Sequence, residues 1–155
     1  MYDSLLKIRA KVQSALGNKI KLYFLDDPKL IQMSSLPCVS IVPIRTDINV
    51  ADTARDEYRY TIDVYLIINA LTELNKVKKE MVGMKFLTTL MEEKKTTGAL
   101  KENTILYALR NDMKIDTNWY VENVSSIDYS VRVRSEQAVT LESWARLTVV
   151  RIITR

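Results

Sequence analysis

Five carboxylates, Asp47, Asp52, Asp56, Glu57 and Asp63, crowd one stretch of the chain. Acids at that density can hold Mg²⁺, and a carboxylate-dependent nuclease would use such a set. It would show divalent-ion-dependent cleavage that disappears on replacing Asp52, Asp56 or Asp63 with Asn. Arg45, Arg55 and Arg59 are interleaved with the acids, however. Mixed charge of this kind suits ion pairing across a contact between subunits better than a metal cage. The expected subunit-interface residues are therefore Arg45, Asp47, Asp52, Arg55, Asp56, Glu57 and Arg59.

Other routes to catalysis are closed. Histidine is absent, which removes the commonest general base near neutral pH and every Ser–His or Cys–His pair. One cysteine without histidine leaves no structural zinc set. Glycines stand at 17, 83 and 98, too far apart for a phosphate-cradling loop or a dinucleotide fingerprint. The sequence thus assigns no catalytic, cofactor-binding or metal residue and no cofactor, and the chain is not expected to be an enzyme. Cys38, between Pro37 and Val39 at the start of an apolar run, is expected as buried packing.

A different chemistry is offered by Arg132, Arg134, Arg146 and Arg151, near Tyr129 and Trp144. Strand aromatics with arginines can stack on and clamp single strands. These four are the candidate DNA or partner contacts, and a sequence-independent nucleic-acid-binding accessory module is the alternative reading. The net charge of +4 falls well short of an arginine-rich nucleic-acid grip.

Elements must position these groups. Leu5, Ile8, Val12, Ala15 and Leu16 recur at helical spacing, with Asp3 or Ser4 as cap and Gly17–Asn18 as stop. The alternation in 19–25 and the run 37–44 predict two strands, broken by Asp26–Asp27–Pro28–Lys29. Pro43 places the second at an edge or at its own end. Residues 45–57 read as a long charged loop. From Tyr58, one strand face is Tyr58, Tyr60, Ile62, Val64, Leu66 and Ile68; the other starts polar and ends apolar. A strand that starts exposed and then becomes covered on both sides fits that pattern. Leu74, Val77, Met81, Met84, Leu87, Leu90 and Met91 predict a long helix over about 72–95, ended by Thr96–Thr97–Gly98. Residues 104–110 suit a strand or a short helix. Strands follow over 118–134 and 143–154, joined through Ser135–Glu142.

The sum is one α+β domain over 1–155: a mixed, mostly antiparallel sheet packed by an N-terminal helix and one long central helix. With 47% hydrophobic and 27% charged residues the composition is that of a globular chain. No stretch is apolar enough to span a membrane, and Lys7, Arg9 and Lys11 interrupt any signal-peptide core, so a cytosolic chain is expected.

The stretch LPCVSIVPIRTDINVADTARDEYRYTIDVYLIIN, residues 36–69, and this order of elements resemble tail terminator (tail completion) proteins of long-tailed bacteriophages. The resemblance implies a small α+β structural protein of the virion tail or neck, folded and assembled in the host cytoplasm. It implies a homo-hexameric ring that ends the tail tube and joins it to the head connector. The implied partners are the tail tube protein and a head-completion or connector protein, with non-specific contact to DNA in the channel. It also implies that Arg45 to Arg59 meet neighbouring subunits.

Overall fold

The computed structural model describes residues 1–27, 31–70, 82–111, 114–135 and 138–154. Six strands form one sheet in the order β1-β2-β3-β6-β5-β4. They are β1 (Leu22–Phe24), β2 (Cys38–Asp52), β3 (Arg55–Asn69), β4 (Lys114–Asp116), β5 (Trp119–Ser135) and β6 (Ala138–Thr154). Only β1 and β2 run parallel; every other pairing is antiparallel. Three described helices accompany the sheet: α1 (Tyr2–Leu16), α2 (Val82–Glu92) and α3 (Ile105–Arg110). The α+β class and the mostly antiparallel sheet match the expectation.

The helices define a helix face. On α1, Leu5, Ile8, Val12 and Leu16 are buried at helical spacing. They share a core with Val39, Ile41, Tyr60, Ile62, Val64, Leu66 and Ile68, and with Ala145, Leu147 and Val149 of β6. The alternating face expected of β3 is thus the core face. Its other face, called here the far face, carries Asp63 and Ile67, both buried. Ile67 is covered by Leu36 and Cys38, with Phe24, Ile31 and Tyr65 packed against them. The apolar end of that second face therefore lies under the segment between β1 and β2, which accounts for the change in character along the strand.

Several expectations need correction. Residues 45–57 are not a loop: β2 continues to Asp52 and β3 begins at Arg55, so both flanks of a tight hairpin fill that stretch. Thr46, Ile48 and Val50 alternate with Arg45, Asp47 and Asn49, and the Asp52 carboxylate accepts the Ala54 amide at 2.8 Å to close the turn. Helix α1 starts at Tyr2 after Met1, with no side-chain cap, and Ser4 is buried inside it rather than capping. Its end follows expectation, at Gly17 with φ of 55°. The strand expected over 19–25 shrinks to β1, because Gly17–Lys19 make a 3-10 turn, and Leu22 is exposed.

Helix α2 ends at Glu92, not 95, because Lys94 bridges to Leu100 around Gly98. The Leu74, Val77 and Met81 part of the expected stripe lies outside the described residues, as do Pro28 and Lys29. Residues 104–110 resolve as helix: Thr104 caps α3, its hydroxyl accepting the Tyr107 amide at 3.2 Å. The connection expected over Ser135–Glu142 is mostly strand, since Val139 to Glu142 pair along β5. Beyond Ser40, β2 has no described partner opposite β3, so Pro43 sits on an edge as its missing N–H requires.

Candidate functional site

Fifteen residues of β3 at about 3.3 Å each give a strand of about 50 Å, longer than the helices cover. At its start β3 lies between β2 and β6, with Ile48 opposite Tyr58 and Tyr58 opposite Arg151. The next row is Val50, Asp56 and Ile153. This three-stranded arm has two unlike faces. Residue alternation sends Arg45, Asp47, Glu57 and Arg59 to the far face and Ile48, Val50 and Tyr58 to the helix face. The apolar side chains have no cover: Ile44, Ile48 and Val50 are 48%, 60% and 68% exposed. Inward along the same face, Tyr58 stacks on Tyr60 at 6.3 Å, and Tyr60 is already core. The strip is an outward extension of the hydrophobic core.

The charges of the arm satisfy one another. Arg45 Nε donates to Asp47 at 2.7 Å, and Arg59 bridges Glu57 and Glu122, both at 2.6 Å. The hydrogen bond that Arg59 donates to Glu57 raises its guanidinium above its ordinary pKa, with Glu122 adding to the effect. Arg55 approaches Asp52 at 3.9 Å. The expected interface residues are thus gathered on one arm. Arg45 with Asp47, Arg55 with Asp52 and Arg59 with Glu57 are paired within the chain, and exposed pairs of this kind are individually weak. Asp63 lies farther along β3, buried and held bidentately by Arg146 Nε and Nη2, both at 2.8 Å. The five acids therefore do not converge, and among the described residues no group of three or more His, Cys, Asp or Glu is placed to hold a metal ion.

The four C-terminal arginines are divided. Arg146, Arg132 and Arg134 lie on the far face. Trp144 stacks on Tyr65 at 5.6 Å there, and the Arg132 guanidinium stands 5.7 Å from both ring centroids. Arg151 is on the helix face, 4.2 Å above Trp119, whose ring also receives Lys7. Tyr129 is likewise on the helix face, its hydroxyl donating to Glu92. Burial and that carboxylate raise the Tyr129 pKa. Two of the far-face arginines are committed to acids beneath them. Arg134 donates to the buried Glu142 at 2.7 Å and to Asp27 at 3.2 Å. Burial works to lower the Arg134 pKa, but Glu142 and Asp27 together outweigh it and raise the value. Arg146 is raised by its hydrogen bond to Asp63. Arg132 makes a looser contact with Glu142 at 3.4 Å.

Sequence reasoning missed Glu142 and the apolar arm residues Ile44, Ile48 and Val50. For Glu142 the available signal was its place in the alternation of β6 beside Thr140 and Trp144. For the arm it was the apolar alternation of Ile48 and Val50. Cys38 is buried as expected, and desolvation pushes its thiol up to about 12. Among the described residues no helix is long and apolar enough to cross a membrane. No family model matches the chain, and no curated protein matches it at a significant level.

Proposed function

We propose that this chain is a structural subunit that assembles, through its β arm, into a ring closing a bacteriophage tail tube and joining it to the head connector. The observation that carries the reading is the uncovered apolar face of the arm, continuous with the core through Tyr58 and Tyr60. A monomer gains nothing from holding about 50 Å of strand partly outside its own helices. Leaving Ile48 and Val50 in water forgoes roughly 1–2 kcal/mol for each side chain. A neighbouring subunit that covers the strip recovers it, while the self-paired charges on the opposite face keep the arm soluble.

In this role no bond is made or broken. A homo-hexamer, with the tail tube protein on one side and a head-completion or connector protein on the other, is the assembly that fits the resemblance in residues 36–69. Its place would be the tail or neck of the virion, after assembly in the host cytoplasm. DNA would pass the lumen without a strong grip, consistent with a net charge of only +4.

Native mass spectrometry and negative-stain imaging of the purified protein test the proposal. A closed ring, formed alone or on adding tail tube protein, supports it. A single subunit under both conditions overturns it.

A further inference from the structure

We propose that the depression between α3 and a bulged part of β5 binds a small monocarboxylate with an apolar body. This does not depend on the ring reading. The depression encloses about 480 Å³, within the range of small-molecule sites. Its floor is apolar: Leu106 and Val124 belong to the main core, and Leu100 and Ile127 pack against it. Two features of the chain shape it. Lys94 bridges to Leu100 around Gly98, whose φ of 84° turns the segment after α2 back on itself at the rim. On β5, Ser125 is an extra residue between Val124, opposite Leu147, and Ser126, opposite Arg146. A bulge of this kind bends its strand and re-aims side chains.

The charged groups from the end of α2 to the end of α3 divide into paired and unpaired. Glu93 pairs with Lys101 at 2.6 Å and Lys95 with Glu102 at 3.3 Å. Glu92 accepts the Tyr129 hydroxyl. Lys94 and Arg110 are the exceptions: among the described residues neither has a carboxylate partner, and both line the depression. Arg110 Nη2 donates to the Val124 carbonyl at 3.4 Å, a stretched bond. The rest of its donor fork has no acceptor among the described residues. A planar carboxylate matches that fork bidentately, and Lys94 supplies a second cation. Charge selects the head group. Lys94 and Arg110 less Glu92 leave one positive charge on the lining. A carboxylate balances it, whereas a phosphate ester at roughly −1.5 to −2 overshoots and meets Glu92. The apolar floor calls for a body behind the head group, which a bare anion lacks.

Saturation-transfer NMR with phenylacetate, titrated to a dissociation constant on the full chain, tests this. Saturable binding is expected. Arg110→Gln should weaken it at least tenfold, as losing a charged hydrogen bond does, and Lys94→Gln about threefold, since an ammonium makes a looser contact. Lys85→Gln, which removes a cation of α2 outside the depression, should leave the constant unchanged. All three side chains are exposed, and circular dichroism checks that each variant folds. The neutral phenylacetamide and the dianion phenyl phosphate should each bind at least tenfold more weakly than phenylacetate. Equal binding of the amide reduces the depression to an apolar hollow, and tighter binding of the phosphate assigns it another ligand; either overturns the proposal. So does the absence of saturable binding, or binding that survives both Arg110→Gln and Lys94→Gln. The readout does not involve the number of subunits, so failure here leaves the ring reading standing.

Discussion

At the arm, Arg45 reaches Asp47 and Arg59 reaches Glu57, two residues away on the same strand and in contact with water. Toward the other end of the same sheet, Arg134 reaches Glu142 and Arg146 reaches Asp63, and there both carboxylates are buried. The residue types are alike, so the difference lies in what covers the acid. A carboxylate in water loses little when its arginine leaves, because water replaces the partner. A carboxylate sealed from water, as Glu142 is beneath Arg134, has no such replacement, and losing its arginine is costly. One end of the sheet therefore uses charge for solubility, and the other uses it to keep buried acids tolerable.

The comparison is sharpest at Arg134. Its side chain is only 10% exposed and its partner Glu142 is fully buried. Arg134→Ala leaves the buried Glu142 with only the looser Arg132 contact and the Thr140 hydroxyl, and is expected to cost about 3 kcal/mol in urea unfolding. Pairing Arg134→Met with Glu142→Leu removes both charges at once and is expected to recover most of that loss. A loss below about 1 kcal/mol for Arg134→Ala would show that the two ends of the sheet do not differ as described.

Arg146 is the intermediate case. Asp63 is as buried as Glu142, yet Arg146 itself is 45% exposed and forms the lid over that acid. Truncation to Ala opens Asp63 to water, which hydrates it in place of the guanidinium. The expected cost is therefore smaller, about 1–2 kcal/mol, measured by the same unfolding assay. A cost equal to that of Arg134→Ala would mean that water does not reach the vacated position.

Much of this architecture could be read in advance where burial leaves a period in the sequence. The helical stripe of Leu5, Ile8, Val12 and Leu16 and the alternation from Tyr60 to Ile68 both mark a covered face, and both are core. The arm was hidden for the converse reason. Alternation there separates charge from Ile48 and Val50, but neither face is buried within the chain, so the stretch has the polarity of a loop. The site was legible in part: the interleaved acids and arginines do mark the arm, and Arg45–Asp47 and Arg59–Glu57 pair two positions apart on one strand face, a spacing visible only once the stretch is known to be strand. Register also divides the C-terminal arginines. Arg146 and Arg151 differ by an odd number of positions along β6 and so fall on opposite faces, a parity visible in the sequence once the strand's bounds are known.

The smallest effect on the folded subunit is expected at the arm, and there the choice of readout separates the two regions. Arg45→Ala or Asp47→Ala removes half of an exposed pair and is expected to change stability by no more than about 0.5 kcal/mol. Ile48→Asp with Val50→Asp should be equally quiet in unfolding, because both side chains already stand in water. The same double change places two charges on the face assigned to the neighbouring subunit, and loss of about 1–2 kcal/mol at each position weakens each contact at least tenfold. Size-exclusion chromatography across a dilution series reads this as dissociation at higher protein concentration. If the aspartates instead lower the melting temperature of the isolated subunit and leave assembly untouched, the strip is packing for its own chain. The arm would then be one more edge of the core, and its apolar face would carry no claim to a partner.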